Sequence, residues 1–272
     1  MSHIDLDAPR QLEPAVTQRD VEAEVAKCVG GVASPLLSNV ALSVLDEHIA
    51  SAPGGPGPSP VERARRRRHG LPNFRLIRYA DDWCLMVKGT RSDAEALRQE
   101  IADVLAPMGL RLSQAKTLVT HIDEGLDFLG WRIQRHRKRG TTQRYVYTYP
   151  SHKALRAVIG KVKSWCRQVG MRQPLEVLMH RLNPVLRGWC AYFRVGVSSA
   201  TFAYLSHYVW TMVWRWLRRK HRKATWKQLR HQYAKSGWWP AANDTELFDP
   251  ATVTTSWYRY RGSAIPSLWH AA

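Results

Sequence analysis

The chain has 272 residues, enough for one large domain or two small ones, and its 44% apolar and 23% charged composition is that of a globular protein. Its 41 Lys and Arg against 22 Asp and Glu leave a formal net charge of +19, which calls for a polyanionic partner. Four scattered cysteines with no CxxC pair argue against zinc knuckles and zinc nuclease modules, and the absence of a long apolar run or a basic-then-apolar start argues against a membrane span or signal peptide, so a cytoplasmic location is expected.

The charge is concentrated. Residues 1–50 hold 3 Lys/Arg and 8 Asp/Glu, residues 51–130 hold 12 and 10, residues 131–230 hold 23 and 1, and residues 231–272 hold 3 and 3. Only Glu176 can offset the central block, so that block repels itself without a polyanion, and nucleic acid is expected there.

Taken in chain order, residues 1–27 are acidic and weakly patterned. Gly30 to Pro35 is turn-rich, and the apolar run after it predicts a helix over 36–49. Residues 51–60 read as a breaker-rich linker. Arg65 to Arg68 form a charge run suited to a solvated helical face or a nucleic-acid contact. Strands are predicted over 74–79 and 83–87, with Ala80, Asp81 and Asp82 as the turn between them. A helix over 92–106 starts at a capping box of Ser92 and Glu95 and ends at Pro107 and Gly109. Residues 126–133 read as one strand, 134–140 as a basic turn and 144–149 as a returning strand. Beyond residue 151 the apolar spacing is helical, with a second helix over 175–182, a third starting at Asn183 and Pro184, and a long apolar stripe from Phe202 to Trp216. The tail from 236 is aromatic and irregular.

The pair Asp81 and Asp82 carries the chemistry. Neighbouring strand side chains face opposite sides, so one carboxylate can ligate Mg²⁺ while the other assists beside it. Hard oxygen donors suit Mg²⁺, which keeps its waters and binds substrate phosphates. Two such ions can activate an attacking hydroxyl and stabilise a leaving pyrophosphate. A merely solvated Asp-Asp turn is the bland alternative.

The surroundings favour the metal reading. Arg78-Tyr79-Ala80-Asp81-Asp82 resembles the YxDD box of reverse transcriptases, and Gly30 to Asn39 resembles the block that precedes it in group II intron reverse transcriptases. Gly109 to Thr117 and Asp127 to Trp131 resemble the next two blocks, Leu182 to Phe193 the thumb or maturase region, and Arg259 to Gly262 a segment near the family's end. The resemblance implies an α+β fold: a partial right-hand polymerase palm, made of an antiparallel hairpin sheet plus helices, followed by a helical thumb/maturase bundle. It implies Asp81 and Asp82 as catalytic metal ligands for Mg²⁺. Tyr79, Ala80, Gly30, Gly31, Ser34 and Lys116 would lie by the nucleotide and primer, and Phe128, Leu129, Gly130 and Trp131 would form a hairpin gripping the primer strand, with core packing an equal alternative for these last four. Arg135, Arg137, Lys138 and Arg139 of the basic turn, Arg187, and Arg218, Arg219 and Lys220 are the expected RNA contacts. For Trp189, Tyr192 and Phe193, core packing competes with RNA contact. The implied partners are group II intron RNA and a DNA/RNA primer-template, with no membrane, and a dimer stays open.

The implied domains are an unmatched segment 1–29, a partial reverse transcriptase palm 30–150, a helical thumb/maturase RNA-binding domain 151–235 and an aromatic tail 236–272. Asp5, Asp7 and Asp20 sit in no recognisable strand motif, so the other catalytic aspartate of such a palm has no counterpart. The expectation is an N-terminally truncated reverse transcriptase/maturase, impaired in polymerisation because one carboxylate pair cannot easily hold two metals in line. A stand-alone RNA-binding splicing cofactor and a translated remnant without a role are the alternatives.

Overall fold

The structure, a computed structural model, describes residues 34–113, 116–137, 140–234 and 237–256. Gly30, Gly31, Lys138, Arg139 and the 259–262 segment lie outside the described residues. The chain divides into two compact units whose sequence boundary falls between Val119 and Thr120.

In the first unit, helix α1 (Ser34–Ser51) buries Leu42, Leu45 and Ile49. The expected linker after it is no loose tether. Gly57 N donates to Ala50 O (3.1 Å) and Phe74 N to Gly54 O (2.8 Å), folding the segment back onto the helix end. A side chain at Gly54 would lie 2.6 Å from the Phe74 ring, so this close approach needs glycine. Helix α2 (Pro60–Arg68) is capped by Ser59 and carries the arginine run.

Strands β1 (Asn73–Tyr79) and β2 (Asp82–Lys88) pair antiparallel with Tyr79 opposite Asp82. Leu76, Trp83, Leu85 and Val87 pack onto the core of α1 and helix α3 (Arg91–Leu105), whose Leu97, Ile101 and Leu105 are buried. The cap of α3 is not Ser92 with Glu95. Thr90 precedes the helix, accepts from Asp93 N, and donates its own N–H to Asp93 Oδ2 at 2.7 Å. Ser92 and Glu95 already lie inside the helix, because the first free amides belong to the turn that Thr90 opens.

The second unit begins with a three-stranded antiparallel sheet, β3 (Leu126–Phe128), β4 (Trp131–Arg137) and β5 (Arg144–Pro150). The single strand expected over 126–133 is a hairpin. Leu129 (φ 49°) and Gly130 (φ 80°) are both left-handed, and Phe128 pairs with Trp131 across them. Positive φ at both central positions matches the twist of a two-residue hairpin turn, a signal that the apolar run conceals.

Helices α4 (His152–Gln168), α5 (Leu175–Phe193), α6 (Ser199–Lys220) and α7 (Trp226–Tyr233) enclose a core around Val162, Leu178, Leu182, Leu186, Val213 and Trp216. The two helices expected on either side of Asn183-Pro184 are one. Pro184 leaves the His180 carbonyl without its helical donor. The fully buried Leu182 and Leu186 on either side hold the helix together across this gap. Asn183 Nδ2 donates to Glu246 O (2.9 Å) and its Oδ1 accepts from Phe248 N (2.8 Å), fastening the tail strands β6 (Ala241–Ala242) and β7 (Thr245–Glu246) to α5. No described helix is long and apolar enough to cross a membrane.

Candidate functional site

The β1–β2 turn consists of Ala80 and Asp81. Ala80 takes a left-handed φ of 53°, a strain on an L-residue that the surroundings must hold in place. Arg78 does the holding. It sits on the inner face of β1, and its Nε donates to both carboxylate oxygens of Asp46 on α1 at 3.2 and 3.0 Å. Its Nη1 donates to Asn39 Oδ1 (2.7 Å) and to the carbonyl of Ala80 itself (3.0 Å). One guanidinium thus ties the strained turn to two positions on a neighbouring helix. The sequence motif alone assigns Arg78 no role; the signal for one is its place directly before the Tyr-Ala-Asp-Asp run, on the inward face of the strand.

The clamp leaves the acids free. Asp81 and Asp82 are exposed, and their carboxylates have no hydrogen bond or ion pair among the described residues. The nearest cation in the sequence is already paired with Asp46, so it does not neutralise them. Tyr79, 67% exposed, lies directly across from Asp82 on the same face. Two free carboxylates fit a hard divalent ion that keeps water and substrate oxygens as its remaining ligands. They do not make a closed cage: among the described residues no group of three His, Cys, Asp or Glu can hold a metal. Ser34 opens α1, and Lys116 is exposed with its backbone N–H on Ser113 O (3.1 Å); no described contact joins Lys116 to the hairpin.

The β3–β4 turn is braced by rings of α5. Tyr192 OH donates to Leu129 O (2.9 Å), and Trp131 meets Phe193 at 4.7 Å between ring centroids. Trp189 and Phe193 stand 4.6 Å apart in the same cluster, so these aromatics pack the unit.

The expected RNA contacts divide in two. Arg135 is engaged: its Nε and Nη2 donate to Asp123 at 2.6 and 2.9 Å, and this hydrogen-bonded pairing pushes the Asp123 carboxyl down to about 2. Arg137 donates to Thr141 O (2.6 Å). Arg219 donates to Cys166 O (2.9 Å), and Lys220 to Met171 O and Gln173 O, so these two close the end of α4 and the loop after it. Arg187 lies 5.6 Å over the Phe248 ring and Arg218 5.3 Å over the Trp226 ring, each with an exposed side chain.

A face that the sequence reading missed is better placed. Lys153, Arg156, Lys163 and Arg167 are exposed along α4, opposite its buried Val158, Val162 and Cys166, and none has a partner among the described residues. Spacings of three, seven and four residues put all four on one helical stripe, a signal the sequence already contained.

One unit thus presents clamped carboxylates that could hold a divalent ion, and the other a helix whose exposed Lys and Arg have no partner among the described residues. Residues 18–133 match the family model "Reverse transcriptase (RNA-dependent DNA polymerase)", and residues 155–234 match "Group II intron, maturase-specific domain". The first match starts upstream of Gly30, earlier than the sequence motifs indicate. Among curated proteins the chain is 34% identical to "Protein YkfC" of Escherichia coli over 59% of this chain and 45% of that one. It is 35% identical to "Group II intron-encoded protein LtrA" of Lactococcus lactis over 26% of this chain and 12% of that one. It is 23% identical to an "Uncharacterized 91 kDa protein in cob intron" of Schizosaccharomyces pombe over 66% of this chain and 29% of that one. The two family matches, in that order along one chain, place it in the group II intron reverse transcriptase/maturase family. The chain spans less than half the length of these relatives. Divalent metal use belongs to the reverse transcriptase family.

Proposed function

We propose that the chain acts on group II intron RNA as a reverse transcriptase/maturase, with residues 34–119 as part of a polymerase palm and the helical unit as the RNA-binding thumb. The observation that carries this reading is the pair of unpartnered carboxylates on a turn fixed by Arg78, within the stretch that matches the reverse transcriptase model. Asp81 and Asp82 would hold Mg²⁺, which when bound supplies positive charge to polarise phosphate oxygens. Arg78 keeps the turn from relaxing, so the carboxylates need not reorganise as substrate arrives. Tyr79, on the face of Asp82, offers a ring against a base or sugar at the primer end. The α4 stripe meets RNA phosphates through Lys and Arg, and this part of the affinity falls steeply with salt.

The test is primer extension on a homopolymer template with Mg²⁺, run beside a splicing assay on a group II intron transcript. Synthesis lost in Asp81→Ala, with folding unchanged, supports the full reading. A second reading, a splicing cofactor without catalysis, is favoured by the lack of a third metal ligand among the described residues. Splicing stimulation with no primer extension, unaffected by Asp81→Ala, would select it. A protein that binds no RNA at low salt would sink both.

A further inference from the structure

Where α6, α7 and the segment after α7 meet, three tryptophans gather. Trp214 is buried, while Trp226 and Trp238 are 41% and 43% exposed. Ring centroids lie 5.4 Å apart for Trp214–Trp226, 6.1 Å for Trp214–Trp238 and 6.0 Å for Trp226–Trp238. Each exposed ring carries an arginine on its face: Arg218 at 5.3 Å from Trp226 and Arg230 at 4.4 Å from Trp238.

The arrangement is held in place before any ligand arrives. The Trp238 carbonyl accepts the indole N–H groups of Trp210 (2.8 Å) and Trp214 (3.2 Å). Arg230 Nε donates to Gly237 O at 3.1 Å, which fixes the guanidinium beside the ring. A capping box between Thr225 and Gln228 sets Trp226 as the first residue of α7. The indole N–H groups of Trp210, Trp214, Trp216 and Trp239 donate to backbone carbonyls; those of Trp226 and Trp238, like those of Trp83, Trp131, Trp165 and Trp189, have no hydrogen bond among the described residues. Core tryptophans satisfy their polar edge when buried. These two keep an open edge and an exposed ring beside Arg218 and Arg230.

We propose that Trp226 with Arg218 and Trp238 with Arg230 form a two-step stacking platform for unpaired RNA bases. Planar guanidinium groups and indole rings both stack on bases, and every base has a face to offer. A duplex, whose bases are already stacked, would gain only phosphate contacts here. The platform rests on the RNA-binding reading above and adds to it a preference for single-stranded segments.

The test uses the full chain with two fluorescein-labelled probes, a mixed-sequence single-stranded RNA and a blunt duplex, each of about 12 units, within the range one binding surface covers. Trp226→Ala and Trp238→Ala should each weaken single-strand binding by about 5- to 100-fold. Duplex binding and the slope of log K against log salt should stay as in the parent protein. Arg218→Lys and Arg230→Lys, which keep charge and lose the plane, should show the same selective loss. Single-stranded RNA should also quench the intrinsic fluorescence, and quench it less in a Trp226→Phe/Trp238→Phe double variant, a readout that stands if the alanine variants fail to fold. Equal losses on both probes, a changed salt slope, or unchanged quenching in the double variant would overturn the platform. Parent protein that binds both probes while all variants are silent would overturn the platform and leave the RNA reading standing. Parent protein that binds neither would overturn both.

Discussion

The two units treat charge in opposite ways. In the first, 12 Lys and Arg meet 9 Asp and Glu over residues 34–119, and the groups able to do chemistry stand free because Arg78 is committed to holding them. In the second, 24 Lys and Arg meet 7 Asp and Glu over residues 120–256, yet several of the expected RNA contacts are already engaged. Arg135 grips Asp123, while Arg219 and Lys220 close backbone carbonyls. Cation density therefore overstates the number of free cations, and those on the open side of α4 are among the exposed ones with no partner among the described residues.

The cores differ as well. Trp216 is fully buried with its indole N–H on Val169 O (3.1 Å), so Trp216→Ala should cost about 3–5 kcal/mol by chemical denaturation. Leu97→Ala, in the thinner core behind the hairpin, should cost about 2–3 kcal/mol. Equal losses would break the contrast between a deep and a thin core.

Next in size are the two polar clasps, one in each unit. Arg78→Ala strips the partner from Asp46 and frees the strained turn, and should cost about 1.5–3 kcal/mol. It should also weaken Mn²⁺ binding, read by electron paramagnetic resonance. Asn183→Ala should cost about 1–3 kcal/mol and raise amide exchange at Phe248. It should leave Mn²⁺ binding unchanged; loss of Mn²⁺ binding here would remove the distinction between the two clasps.

Smaller still is Ala80→Gly, which relieves a left-handed alanine and should stabilise by up to about 1 kcal/mol, less the added freedom of the unfolded chain. Should it destabilise instead, the turn would not be strained as its φ indicates. The smallest effect is the pH dependence of Asp123. Its carboxyl is held below the ordinary value, at about 2, chiefly by the Arg135 hydrogen bond. Its contribution is therefore complete above about pH 4 and fades as pH falls toward the folded value. A melting series from pH 5 down to 2 on parent and Asp123→Asn should converge at the acid end; parallel curves would mean the pair contributes nothing.

Local chemistry made much of this legible. Alternation in Phe74 to Tyr79 and in Trp83 to Val87 marked the hairpin, and its acids were visible in the same run. The spacing of Leu97, Ile101 and Leu105 marked α3. Pro184 and Gly130 misled in opposite directions. Proline normally interrupts a helix, but buried leucines on both sides carried α5 through it. Gly130 looked like a residue within an apolar strand, but its positive φ reverses the chain.

The linear order of residues by itself determined the family, the cationic bias and the paired acids at a hairpin apex, because each is a matter of residue type and near-neighbour spacing. Tertiary structure alone decided which charges are free. Asp46 reaches Arg78 from 32 positions away, Arg219 finds Cys166 O across 53, and Trp210 fixes Trp238 across 28. A charge is available to a ligand only if no such distant partner has claimed it, and pairings at that range depend on how helices and strands pack.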